Sequence, residues 1–184
     1  MKRKMSERKD GFSLIELLIA ISILTIFVGV VSLSIGLLRS ADTRGLASSI
    51  NDSLTDLKST TEAHKGPFYL HIYKNDSGFF SQFSDSPTFS APTADDVRLG
   101  SASLDVYVSY DGVEDNEIPI SGSTYCTILM QKKDGAYYAG TVTEESGTDT
   151  TLQVPRYFVI KNGTRADYKV YLAKETGLHY LEQL

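Results

Sequence analysis

Two neighbouring residues and one carboxylate near the N-terminus have the types and spacing for chemistry at a membrane helix. The Gly11-Phe12 peptide bond separates a basic segment from a long apolar run, and Glu16 follows four residues after Phe12. Cleavage after Gly11 would create a free amine on Phe12, one helical turn away from the Glu16 carboxylate. A positive amine and a carboxylate at this spacing could then pair within one chain or between neighbouring chains.

A second group of candidate residues is acidic. Asp111, Glu114, Asp115 and Glu117 fall within seven positions, after a segment that reads as a strand. Calcium takes six to eight oxygen ligands, mostly carboxylates and carbonyls, so these residues are weak candidates for a Ca²⁺ site. The spacing matches an EF-hand loop poorly. We therefore favour a solvated acidic turn and expect no metal or cofactor.

The remaining residues that could do chemistry are scattered. His64, His71 and His179 lack metal-ligand spacing, and we expect them to be surface or packing residues. Cys126 is the single cysteine, so it cannot form an intrachain disulfide, and its strand-like surroundings predict a buried structural thiol. The sequence contains no P-loop or nucleophile elbow. We expect no enzymatic activity.

The element that must position the Gly11-Phe12 bond and Glu16 is a long apolar helix. The run from Phe12 to Leu38 has 27 residues, and Glu16 is its only charged residue. A helix of that length measures about 40 Å, against a hydrocarbon core of about 30 Å. The basic segment ahead of it would keep the N-terminus in the cytoplasm. A plain uncleaved signal anchor also fits this hydropathy, whereas the apolar core of a secretory signal is shorter.

This N-terminal segment resembles the class III signal of type IV prepilins and of type II secretion pseudopilins. In that family a membrane peptidase cuts after the glycine and N-methylates the new first residue, and the glutamate brings each subunit into register. The resemblance implies cleavage at Gly11-Phe12, methylation of Phe12 and an assembly role for Glu16. It also implies three partners, which are prepilin peptidase, other pilin or pseudopilin subunits and an inner-membrane assembly platform.

Two departures from the family pattern bear on the subunit's role. Many major pilins carry a proline in the second half of the apolar segment, and none occurs between Phe12 and Leu38. Many pilins also close a C-terminal loop with a disulfide, which a single cysteine does not allow. The absent proline favours a pseudopilin or a minor subunit.

The helix is predicted to continue beyond the apolar run as an amphipathic segment, residues 39–64. One apolar stripe recurs at spacings of four, four and three residues, as expected for one face of a helix. The stripe consists of Leu46, Ile50, Leu54 and Leu57. Gly66-Pro67 then ends the helix. The stripe needs a partner surface, which the rest of the chain must supply.

Residues 65–184 are predicted to form a globular antiparallel β domain. A short strand at residues 68–73 and a turn at 75–78 are followed by a loop of uncertain path at 79–95. The further predicted strands are residues 97–110, 123–132, 136–143, 152–161 and 166–173. Hairpin turns are expected at 133–135 and at Asn162-Gly163. The fold class is therefore α+β: a pilin-like long N-terminal helix, transmembrane in its first half and packed on an antiparallel β-sheet in its second.

Charge and topology complete the prediction. Removal of the leader, residues 1–11, takes away five basic and two acidic residues and moves the formal net charge from −5 to −8. An acidic exterior argues against direct nucleic-acid binding, which needs clustered Lys and Arg. We expect a single-pass protein of the cytoplasmic membrane, with its C-terminal domain extracytoplasmic, that then enters a pilus or pseudopilus. The alternatives are a membrane-anchored binding module that does not polymerise and a competence pseudopilin involved in DNA uptake.

Overall fold

The computed structural model describes residues 14–143, 147–163 and 165–184 of the chain. It is α+β, with one N-terminal helix followed by antiparallel sheets. The chain divides into two units after Leu38, and the second unit, Arg39–Leu184, contains the buried core. The helix α1 spans Leu14–Ala63. It ends one residue short of the predicted end, just before Gly66-Pro67.

The strands of the described residues form two main sheets and one separate hairpin. The first sheet has the order β3-β2-β1-β6, the second has the order β11-β10-β9-β4-β5, and β7 pairs with β8 alone. Every pairing is antiparallel. The strands are β1 Tyr69–Asn75, β2 Gly78–Ser84, β3 Val97–Gly100, β4 Asp105–Ser109, β5 Ile118–Pro119, β6 Cys126–Leu129, β7 Gly140–Thr143, β8 Asp149–Leu152, β9 Tyr157–Asn162, β10 Arg165–Ala173 and β11 Leu178–Gln183.

The predicted apolar stripe on α1 is buried. Leu46, Ile50, Leu54 and Leu57 are each at most 1% exposed. They share one hydrophobic core with residues of both sheets, including Leu70 of β1 and Phe158 of β9. Full burial of such side chains contributes about 1.5–3 kcal/mol each, so this core fixes the second half of the helix against the β domain.

Residues 79–95, predicted as a loop, contain most of the strand β2, and this prediction was wrong. Ser81 and Gln82 are buried, which hides the alternation of a strand from the sequence. Both find partners that compensate for their burial: Ser53 Oγ of α1 donates to Ser81 Oγ at 3.3 Å, and Gln82 Nε2 donates to Asp96 Oδ1 at 3.0 Å.

The predicted strand 97–110 is two strands in different sheets, β3 and β4. The chain leaves the first sheet at Gly100, where a Cβ atom would lie only 3.0 Å from the Leu46 side chain of the helix. This close approach to α1 interrupts the strand before β4 begins. The short predicted turns suggest a meander of neighbouring strands, and this connectivity is wrong, because β1 pairs with β6 and β4 pairs with β9 across long stretches of sequence.

The other predicted strands are shorter or displaced. Strand β6 lies within the predicted 123–132, β7 is the end of the predicted 136–143, and β10 matches 166–173 closely. The predicted 152–161 is split between the end of β8 and β9. The strands β5 and β11 were not predicted. The hairpin after β9 is confirmed, with Gly163 at φ +70° directly after Asn162.

Candidate functional site

The N-terminal signal is described from Leu14 onward. Gly11 and Phe12, the predicted cleavage and methylation residues, lie outside the described residues. Glu16 lies in the first turn of α1, with its side chain on the exposed surface of the helix. The described part of the signal therefore begins with the first turn of α1, which carries the Glu16 carboxylate.

The large apolar side chains around and after Glu16 are exposed on every side of the helix. Those from Leu14 to Val28 are 52–83% exposed in the isolated chain. The hydroxyl groups among them bond back to the helix: Ser22 Oγ donates to Leu18 O and Thr25 Oγ1 to Ser22 O, both at 2.8 Å. A helix that is apolar all round requires other apolar groups around it.

The predicted membrane span is not found in the described part of the helix. Over the part of the chain that the structure describes, no helix is long and apolar enough to cross a membrane.

The acidic cluster lies in a strap, residues 111–117, which connects β4 to β5 of the five-stranded sheet. Glu117 Oε2 lies 2.5 Å from Lys161 Nζ of β9, and Glu114 Oε1 lies 2.7 Å from Lys169 Nζ of β10. Each lysine also lies over a tyrosine ring of the sheet, at 4.4 Å from Tyr107 for Lys161. Glu114 and Glu117 therefore link the strap to the sheet, whereas Asp111, Glu114 and Asp115 remain exposed to solvent. The predicted solvated turn thus also makes two ion pairs with the sheet.

The carboxylates of the strap point to different partners. The Asp111 carboxylate accepts hydrogen bonds from Val113 N at 2.9 Å and Asn116 Nδ2 at 2.7 Å. The Val113 amide, with Asn116, lowers the pKa of Asp111, and the hydrogen bond from Lys169 lowers that of Glu114. Within the described residues, no group of three or more His, Cys, Asp or Glu side chains is placed to hold a metal ion.

Calcium provides a direct check on this arrangement. We expect millimolar Ca²⁺ to leave the melting temperature of a soluble fragment, residues 39–184, unchanged, because Asp111, Glu114 and Glu117 already have separate partners. An ion that bound the folded state alone would raise the melting temperature by mass action. The measurement is a thermal melt with Ca²⁺ and with Mg²⁺ as the control. A rise specific to Ca²⁺ would restore the strap as a metal site.

His71 is a buried packing residue at the centre of the first sheet. Its side chain has no exposed surface, and its ring nitrogens lie 2.9 Å from Thr127 Oγ1 and 3.1 Å from Ser86 O. Because a carbonyl only accepts, the nitrogen facing Ser86 carries the proton and the other accepts from Thr127. Burial lowers the pKa of His71 to about 4, although Ser86 and Asp96 oppose the shift.

This buried imidazole predicts a pH dependence of stability. A histidine whose pKa is depressed by folding stabilises the fold above its unfolded pKa, about 6.5, and this stability is lost as pH falls towards the folded value. The shift to about 4 corresponds to a loss of about 3 kcal/mol between pH 6.5 and pH 4. Urea unfolding of residues 39–184 at several pH values should show a shallower dependence for His71→Gln. Equal slopes in parent and variant would refute this role.

His179 and Cys126 also have structural contacts. The ring nitrogens of His179 in β11 form hydrogen bonds with Thr55 Oγ1 of α1 and with Tyr137 OH, each at 3.0 Å. Burial lowers the pKa of His179. Cys126 is fully buried, as predicted, and burial raises its pKa to about 12. Within the described residues, neither belongs to a group of three or more His, Cys, Asp or Glu side chains that could hold a metal ion.

Comparison with known proteins identifies the N-terminal segment. The model of the prokaryotic N-terminal methylation motif matches residues 8–32, which include Gly11, Phe12 and Glu16. No curated protein and no solved structure gives a significant match to the chain. The match covers the signal alone and does not extend to the β domain. The chain thus carries at its N-terminus the methylation signal of type IV pilin and pseudopilin precursors.

Proposed function

We propose that the protein is a structural subunit, made as a precursor, of a bacterial filament of the type IV pilus or type II secretion kind. Prepilin peptidase cuts the precursor after Gly11 and methylates Phe12. The processed chain then assembles with other pilin or pseudopilin subunits on an inner-membrane platform. The observation that carries this proposal is the methylation motif over residues 8–32.

The exposed apolar helix supports the same proposal. In the isolated chain the large apolar side chains from Leu14 to Val28 are 52–83% exposed. Before assembly, hydrocarbon would surround them, with the N-terminus in the cytoplasm and residues 65–184 outside. In a filament, the same surfaces would pack against the helices of neighbouring subunits. One helix can therefore serve first as an anchor and then as the filament core.

We assign the protein to the minor subunits or pseudopilins. The apolar run from Phe12 to Leu38 has no proline, so it lacks a residue that loosens a helix in the middle. Cys126, the single cysteine, is buried and free, so the β domain has no intrachain disulfide. A minor subunit would be present in few copies per filament.

The test is recovery of the protein in filaments. Cells with the cognate assembly machinery are sheared, and the filament and membrane fractions are quantified with an antibody against residues 65–184. We expect the processed protein in the filament fraction, and its loss from that fraction when the assembly ATPase is deleted. A membrane-anchored binding module that does not polymerise would stay in the membrane fraction of both strains.

A further inference from the structure

A tyrosine-lined cavity opens beside the strap, on the outer face of the five-stranded sheet. It has a volume of about 360 Å³, within the range of small-molecule sites. Tyr157 of β9, Tyr171 of β10 and Tyr180 of β11 line it in a row, because their strands are neighbours and these residues pair in register. Three consecutive strands therefore build one aromatic wall.

The aromatic wall leaves one ring open to solvent. The Tyr171 and Tyr180 rings stack at 5.1 Å with an interplanar angle of 17°. Tyr157 is buried, whereas Tyr180 is 55% exposed. The outermost ring therefore offers a flat, rigid surface with a polar hydroxyl at its end, which suits a ligand with one apolar and one polar side.

Polar groups of opposite charge complete the cavity. Lys169 Nζ lies 4.6 Å from the centre of the Tyr157 ring and is paired with Glu114 of the strap. Arg156 is exposed, and within the described residues no side chain forms an ion pair or hydrogen bond with its guanidinium. Because the charges of Lys169 and Glu114 cancel, Arg156 gives the lining of the cavity a net charge of +1. The whole chain has a net charge of −5.

The backbone fixes the position of Arg156. Its N–H donates to Ser109 O at 2.7 Å and its carbonyl accepts from Leu172 N at 2.9 Å. Gly112 of the strap lies against its aliphatic stem, where a Cβ atom would come within 3.1 Å of Arg156 Cδ. The glycine has φ +86°, so the strap turns tightly at the point where the arginine passes. Gly112 and Glu114 of the strap and Arg156 thus line the cavity together with the tyrosines.

We propose that this cavity binds a sugar that carries a carboxylate, such as a uronic acid unit of a polysaccharide. The C–H face of the sugar ring would lie on Tyr180, its hydroxyls would bond to the Glu114–Lys169 pair, and its carboxylate would pair with Arg156, whose fork matches a carboxylate. A polyphosphate suits the site less, because Glu114 lies in the cavity and the chain is acidic. The proposal does not depend on filament assembly.

The test is a ligand-observed NMR titration of the full chain in detergent micelles. The probes are a trimer of galacturonic acid, its neutral methyl ester and an oligothymidylate. We expect the acid trimer to bind at least tenfold more tightly than its ester. Tyr180→Ala should weaken both sugars at least tenfold, and Arg156→Gln should remove the preference for the acid. Tyr125→Ala, which changes a partly exposed tyrosine outside the cavity, should leave binding unchanged.

Three results would overturn the proposal. The first is no saturable binding of the acid trimer. The second is equal affinity of the parent and the Tyr180→Ala and Arg156→Gln variants for it. The third is tighter binding of the oligothymidylate than of the acid trimer, since this would make the cavity a nucleic-acid site. Thermal melts of the variants serve as the check on folding, because both substituted residues are exposed.

Discussion

Glu16→Leu should abolish most incorporation into filaments while leaving the protein in the membrane. Glu16 is the only charged residue from Phe12 to Leu38, and a charge within hydrocarbon costs about 2 kcal/mol or more. In a filament the amine of Phe12 on an adjacent subunit would pair with it. An attraction of about 2 kcal/mol corresponds to a loss of about thirtyfold in the ratio of filament to membrane protein.

A matched variant separates charge from size. Glu16→Gln keeps the length and hydrogen-bonding groups of the side chain but removes its charge, so it should also assemble poorly. Both variants should still insert and be cut, because the Gly11-Phe12 bond is intact. A plain membrane anchor predicts the reverse, since leucine makes the helix more apolar. If the leucine variant enters filaments as well as the parent does, Glu16 has no assembly role.

Gly177→Ala should destabilise the β domain by about 2–5 kcal/mol. Gly177 has φ +63°, where an L-residue costs about 1–2 kcal/mol. A Cβ atom there would also collide with the Gly135 carbonyl and would lie 2.9 Å from Met130 Cε. Overpacking of this kind costs about 1–3 kcal/mol more. The turn at Gly135 also approaches α1, since a Cβ atom there would lie 3.6 Å from Lys58 Cε.

Gly163→Ala is the control for this prediction. Gly163 has φ +70°, but a Cβ atom added there would have no other atom within 4 Å, so only the backbone cost of about 1–2 kcal/mol remains. The free energy of unfolding of residues 39–184 is measured in urea for the parent and both variants. An equal loss in the two variants would show that the contact between the turns contributes nothing.

The sequence predicts those parts of the fold that depend on neighbouring residues. The stripe from Leu46 to Leu57 follows the helical period, and Gly66-Pro67 ends the helix whatever surrounds it. By contrast, β2 was missed because Ser81 and Gln82 interrupt its apolar pattern. Their partners, Ser53 and Asp96, are identified only once the sheet has formed.

The candidate sites divide in the same way. The signal around Gly11 and Glu16 is a local pattern, so the sequence is enough to find it, and the motif match agrees. The role of the strap could not be predicted, because Glu114 pairs with Lys169, which lies 55 residues further along the chain. The tyrosine cavity likewise depends on the pairing of β9, β10 and β11, the last of which has no clear sequence pattern.

The intact mass of the protein purified from the membrane tests the central proposal most directly. In cells that contain the peptidase, we expect the mass of a chain that begins at Phe12, without residues 1–11 and with one added methyl group. A bulky residue at the cut, as in Gly11→Leu, should leave the precursor mass. A mature protein that begins at Met1 in the same cells would contradict the assignment of this chain as a processed filament subunit.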